Sequence, residues 1–136
     1  MRVLVIHCDY FRYKLGRATK FAEEAKEREA ELRDVLVLFT CIENGDERRE
    51  KELVEGFISD MKETTKRIGC SRIILYPYAH LSSNLSSPNF AKEMLKNLKE
   101  ALQREGFEVS QSPFGWYKEF ELCCKGHPLA ESYREF

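Results

Sequence analysis

The sequence predicts an α/β domain in which a mixed β-sheet is covered by two main helices. Two stretches carry apolar residues at helical spacing, residues 46–68 and 88–105. Short apolar, β-branched runs stand between and around them, at residues 3–6, 35–42 and 73–79. Strands that alternate with helices in this way imply helices laid over a sheet.

Residues 3–6, Val-Leu-Val-Ile, read as a buried strand. Residues 10–15 read as a second strand, with Phe11, Tyr13 and Leu15 alternating against Arg12 and Lys14, and Gly16 ending it. Residues 17–33 are mostly charged, with Phe21, Ala22, Ala25 and Leu32 as sparse apolar points, which fits either a surface helix or an ordered excursion. Residues 35–42 form a strong central strand, and Asn44-Gly45-Asp46 is a turn signal. Asp46 is placed to cap a helix whose apolar stripe runs through Leu53, Val54, Phe57, Ile58, Met61 and Ile68. Gly69 closes that helix.

Residues 73–79 are the next buried strand, followed by a Ser/Asn-rich loop over 81–89. Ser87-Pro88 starts the second helix, with proline at its first position. Phe90, Ala91, Met94, Leu95, Leu98, Ala101 and Leu102 line it, and Gly106 ends it. A short strand at 107–109, a turn at Pro113-Phe114-Gly115 and an alternating strand at 117–124 follow. In that last strand Lys118, Phe120, Leu122 and Cys124 share one face, and Tyr117, Glu119, Glu121 and Cys123 the other. Residues 125–128 turn into a short tail. With no repeat, linker or low-complexity segment, residues 1–136 read as one domain.

Composition narrows the function. The 22 basic and 23 acidic residues give a net charge of −1, so there is no global attraction to nucleic acid and any RNA contact must be local. No apolar run is long enough to span a membrane and the opening residues do not form a secretory signal, which points to a cytoplasmic protein. Five cysteines without a CxxC suggest neither a disulfide framework nor a zinc ribbon. Cys124 and His127 lie three apart but lack a second ligand pair. No P-loop or GxGxxG occurs, so no nucleotide, redox or metal cofactor is implied.

Three clusters carry the candidate chemistry: Tyr76-Pro77-Tyr78-Ala79-His80-Leu81-Ser82-Ser83, Pro113-Phe114-Gly115-Trp116-Tyr117-Lys118, and Lys125-Gly126-His127-Pro128-Leu129-Ala130-Glu131. The first sits at the carboxyl end of a buried strand, where open α/β sheets place ligands. Lys118 lies on an apolar strand face. It either snorkels to solvent or serves a pocket by steadying negative charge or positioning a water. His80 is either a strand-end hydrogen-bonding group or a base. Ser82 and Ser83 lack a nucleophile elbow and suit loop or cap bonding. His127 reads as a turn residue and Glu131 as a solvated tail charge. The aromatic group Tyr76, Tyr78, Phe114, Trp116 and Tyr117 reads as core, or as a stacking surface for a splayed base.

Together with the opening MRVLVIHCDY, the segments YPYAHLSS (76–83), PFGWYK (113–118) and CKGHPLAE (124–131) resemble the N-terminal editing domain of archaeal-type threonyl-tRNA synthetases, in the same order and at similar separations. The resemblance spans essentially the whole chain and is thin over 16–35 and 44–70. It implies a D-aminoacyl-tRNA deacylase-like fold, a homodimer, and hydrolysis of serine mischarged onto tRNA(Thr) with threonine spared. By motif position Lys118, His80, Tyr117 and Glu131 look like the residues around the ester. Phe39, Cys41, Ile42, Ala79, Ser82, Phe114, Gly115, Trp116 and His127 look like substrate-binding positions, several through main-chain groups. The resemblance further implies binding of the tRNA acceptor end, help from the terminal 2′-hydroxyl, and no metal or other cofactor. It leaves open whether the domain acts in cis with further synthetase domains or in trans. Two positions depart from the pattern: Cys8 stands where serine is usual and Glu119 where a small residue is common. The rival readings are a general D-aminoacyl-tRNA deacylase, a non-catalytic acceptor-end binding or dimerisation domain, and a small-molecule regulatory domain.

Overall fold

The first strand is much longer than its sequence pattern suggests. In the computed structural model, which describes residues 1–136, β1 runs unbroken over Arg2–Ala18 and unites the two short strands expected at 3–6 and 10–15. It pairs antiparallel with β2, Glu29–Cys41, through a single register from Arg2↔Cys41 to Lys14↔Glu29. The charged stretch before residue 35 is therefore no helix. Glu29, Glu31 and Arg33 point outward while Ala30 and Leu32 face the interior, and two small apolar points were too weak a pattern to read as a strand.

Helix α1 spans Glu50–Ile68 and closes on Gly69, whose φ of 76° suits glycine. Asp46 does not cap it. Its carboxylate is buried, accepting from the Met1 ammonium at 3.0 Å and from the Glu43 amide at 2.7 Å, and a short 3-10 turn intervenes before the helix. Strand β3, Arg72–Pro77, pairs parallel with β2. It ends two residues earlier than expected, and Ala79–Leu81 form a 3-10 turn instead. Helix α2, Pro88–Arg104, starts where Ser87-Pro88 predicts, and the Ser87 hydroxyl accepts the Phe90 amide. Strand β4, Glu108–Gln111, pairs parallel with β3. β5, Trp116–Cys124, and β6, Glu131–Glu135, share the outer edge of β1, β6 along residues 2–6 and β5 along residues 8–18. The short tail after the 125–128 turn is thus a sixth strand.

The sheet order is β4-β3-β2-β1-β5, with β6 also on β1. The crossovers β2–α1–β3 and β3–α2–β4 step in the same direction, so both helices land on one face. That face buries Val3, Val5, Leu36, Leu38, Ile73 and Leu75 against Leu53, Phe57, Met61, Met94, Leu95 and Leu98. No helix covers the other face. Cover comes from the sheet itself, which folds over. Phe11 lies seven residues along β1 from Leu4, the partner of Phe39, which in a flat ladder means about 23 Å. The Phe11 and Phe39 rings are nevertheless 6.1 Å apart. The bend sits at Asp9, where the register with β5 shifts, and at Asp34 opposite, whose φ is 45°.

Candidate functional site

Bending the sheet creates a cleft of about 510 Å³ at the carboxyl ends of β2 and β3. Its walls come from Thr40–Ile42 at the end of β2, Tyr76–His80 after β3, and the turn 114–118 leading into β5. Two of the three sequence clusters therefore meet here, though far apart in the chain.

Lys118 projects from β5 onto the helix-free face, as its strand alternation predicts. Its ammonium sits 5.0 Å above the Tyr76 ring and donates to the Trp116 carbonyl at 3.4 Å. It forms no ion pair. Burial lowers its pKa to about 8, and the charge of Glu23 opposes that shift. A charge stripped of water but facing a cleft is arranged to meet negative charge there. Glu119, on the other face, is exposed and leaves Lys118 unquenched.

His80 stands on the 3-10 turn at the cleft wall, exposed, its ring edge-on to Tyr78 at 5.2 Å. The turn is held by Tyr78 N–H donating to the Thr40 carbonyl at 2.9 Å and by the Cys41 thiol reaching the Ala79 carbonyl at 3.8 Å. Burial raises the Cys41 pKa, so the thiol stays protonated and structural. Cys41, Ile42 and Ala79 line the cleft. Phe39 lies beneath it, 3% exposed, in edge contact with Tyr76 and Tyr78. Ser82 stands outside the lining; its hydroxyl donates to the Glu43 carboxylate and accepts the Asn84 amide, fixing the loop.

Phe114, Gly115 and Trp116 line the opposite wall. They are clamped by the segment after β1, which the sequence pattern left undecided. Glu23 accepts the Phe114 amide on its carboxylate at 2.7 Å and the Trp116 indole N–H on its carbonyl at 2.9 Å. Thr19 donates its amide and hydroxyl to the Gly115 carbonyl at 2.9 and 2.7 Å. Gly115 has φ 78°, and a Cβ there would lie 2.7 Å from the Ala22 backbone. Glu23, Thr19 and Phe21 are therefore site-building residues that sequence reasoning missed. Their only signal was the apolar Phe21-Ala22 pair in a charged stretch.

Tyr117 lies at the rim, 59% exposed, its ring 5.4 Å from the Arg17 guanidinium. Two further expected residues are not at the cleft. His127 is hydrogen-bonded to His7 beside the bend in β2, away from the cleft. Glu131 begins β6 beside Ile6, exposed, and accepts from the Cys124 thiol at 3.6 Å. Three strand spacings separate β6 from β3, about 14 Å, so within one chain its carboxylate does not touch the Lys118 ammonium above Tyr76. His127 lies in the β5–β6 connection, held against His7 at the corner of β1, and Glu131 opens β6 just beyond it.

A family model described as the archaea-specific editing domain of threonyl-tRNA synthetase matches residues 1–136. The chain belongs to that family. Threonine--tRNA ligases from Methanobrevibacter smithii and Methanopyrus kandleri are 44% and 43% identical to it, each over 98% of this chain. The same enzyme from Thermococcus gammatolerans is 42% identical over 98% of the chain. This editing domain spans only 22% of each of those relatives. Among solved structures, a protein titled c-Myc DNA Unwinding Element Binding Protein superposes with a TM-score of 0.73 at 11% identity, covering 100% of this chain and 99% of its own. That likeness establishes a shared fold: an α/β domain with a mixed sheet and two helices. An editing domain of a synthetase serves tRNA proofreading, and its chemistry is that of an aminoacyl-tRNA hydrolase. No helix is long and apolar enough to cross a membrane.

Proposed function

We propose that residues 1–136 act as a single editing domain that hydrolyses L-seryl-tRNA(Thr) and spares threonyl-tRNA(Thr). The observation that carries this reading is the half-buried Lys118 ammonium, free of any ion pair, in an aromatic cleft that also presents His80. Serine and threonine differ by one methyl, from which a single site extracts only about 1–3 kcal/mol, so a second, hydrolytic sieve is useful. The cleft rejects threonine by size or by loss of a needed water. The terminal adenosine stacks among Tyr78, Trp116 and Phe114. Lys118 steadies the charge that develops on the attacked carbonyl and orders the attacking water. His80 and Tyr117 at the cleft wall and rim orient the ribose, whose 2′-hydroxyl assists.

Glu131 and His127 have no place in this scheme within one chain. A homodimer would give Glu131 a route to a cleft, and the half-exposed apolar strip of Leu4, Ile6, Leu122 and Tyr133 on the helix-free face supports such pairing. The domain serves tRNA(Thr) in the cytoplasm, in cis with further synthetase domains or in trans to a synthetase. Incubation with Ser-tRNA(Thr) and Thr-tRNA(Thr) side by side tests the reading. Rapid loss of the seryl ester alone is expected; intact Ser-tRNA(Thr) after prolonged incubation rejects it. Turnover of D-aminoacyl-tRNAs in its place would favour the general deacylase.

A further inference from the structure

A second constellation of reactive side chains stands at the bend in β2, remote from the cleft. Asp34 precedes Thr40 by six residues on β2, a separation of about 20 Å. Three chain segments converge there: His7 from β1, Asp34 from the bend in β2, and Cys70 from the turn after α1. His7 is 6% exposed, and its Nε2 lies 2.9 Å from the Asp34 carboxylate. Cys70 is 5% exposed, its thiol directed at the Asp34 and Arg72 carbonyls at 3.4 and 3.6 Å. The imidazole nitrogen, carboxylate oxygen and sulfur all lie within 4.8 Å of one another. The left-handed backbone of Asp34 turns its carboxylate back onto His7 rather than along the strand.

We propose that His7 Nε2, the Asp34 carboxylate and the Cys70 thiolate form a divalent metal site of zinc-type chemistry, with a fourth position open to water. Mixed nitrogen, oxygen and sulfur donors suit a borderline-soft, four-coordinate ion. In tetrahedral zinc these donors stand about 3.3–3.7 Å apart, so the longer separations in the set shorten by roughly an ångström and the His7–Asp34 pair, at 2.9 Å, widens slightly. Asp34 opens the site to solvent, its side chain being 65% exposed, which provides both an entry path and the water position. Lys125 bridges Asp9 at 2.8 Å and Asp34 at 3.3 Å, and it stays on Asp9 when Asp34 turns to the ion.

His127 supplies the outer partner that metal-bound histidines require. Its Nε2 is 2.8 Å from His7 Nδ1, and its Nδ1 accepts the Leu129 amide at 3.2 Å. In the metal-free chain, neutral His127 therefore carries its proton on Nε2 and donates to His7 Nδ1. His7 in turn donates from Nε2 to Asp34. Metal on His7 Nε2 reverses this chain: His7 holds its proton on Nδ1, His127 shifts its own to Nδ1, and the Leu129 amide turns to water. The Cys70 thiol proton leaves to solvent. Binding thus releases one proton and flips two imidazole tautomers.

Titration of the chelator-stripped chain with zinc ion is expected to show one ion per chain, one proton released, and affinity rising about tenfold per pH unit near neutrality. Cobalt(II) in place of zinc is expected to give a thiolate-to-metal charge-transfer band, and nitrogen shifts of His7 and His127 to report the tautomer exchange. Cys70→Ser is expected to weaken binding at least about 100-fold and His127→Asn about tenfold. Absence of saturable binding, cobalt bound without the charge-transfer band, or unchanged affinity in Cys70→Ser overturns the proposal. The cobalt spectrum decides on the wild-type chain even where a variant fails to fold. Deacylation has no part in these readouts, so this proposal and the editing reading stand or fall separately.

Discussion

The two faces of the sheet use their residues differently. The helix-covered face is lined almost wholly by apolar side chains, chiefly Leu, Ile, Val and Met, interlocked with both helices. The opposite face is aromatic, with Phe11, Tyr13, Phe39, Tyr76, Tyr78 and Phe120 in edge-to-face or tilted contact and Lys118 set among them. Aliphatic packing fills space; large rings bridging a folded sheet leave a cleft and offer π-faces to a cation and to a base. Stability is concentrated on one face and chemistry on the other, and mutations should separate the two.

The largest expected effect lies on the helix face. Leu98 is fully buried there, and Leu98→Ala should lower stability by about 2–5 kcal/mol in urea unfolding. Deacylation per folded molecule should stay near wild type. Lys118→Met should do the opposite. It removes a desolvated charge without an ion-pair partner, so the melting temperature should hold or rise, while deacylation of Ser-tRNA(Thr) falls about 100-fold or more. A variant that loses both together would show that the two faces are not separable.

A finer test uses pH. The pKa of Lys118 is about 8 in the folded chain against 10.5 for the free side chain. Between those values the unfolded chain binds the proton that the folded chain has released, so stability attributable to Lys118 rises with pH across that window. The slope is at most about 1.4 kcal/mol per pH unit, and it should be the part of the pH dependence that wild type has and Lys118→Met lacks. Activity over background hydrolysis should fall across the same range as the ammonium is lost. The smallest effect belongs to the start of α2: Ser87→Ala removes the cap on Phe90 N–H and should cost about 1 kcal/mol of stability in the same urea assay.

Legibility followed the strength of local patterns. Helix α2 could be read from Ser87-Pro88 and its regular stripe, and the central strands from their β-branched runs. β6 could not, because Glu131–Glu135 alternates around Tyr133 and Ser132 and leans on the edge of β1 rather than on a core of its own. Asp46 has the residue type and place of a helix cap, yet the Met1 ammonium, 45 positions away, claims its carboxylate. At the site, Lys118 and His80 were legible because their motifs are local. Glu23 and Thr19 were not, because they hold the 113–116 turn across more than ninety residues. The His7, Asp34 and Cys70 group was equally hidden, its members being united only where the turn after α1 meets the bend of β1 and β2.

The bend at Asp9 and Asp34 is made in both strands at once, so each β1 residue keeps its β2 partner before and after the corner. Loss or gain of a residue at one corner position alone would rotate Phe11, Tyr13 and Leu15 to the outside and empty the roof above Tyr76. Change in length at this point must therefore come in matched pairs, one residue in each strand.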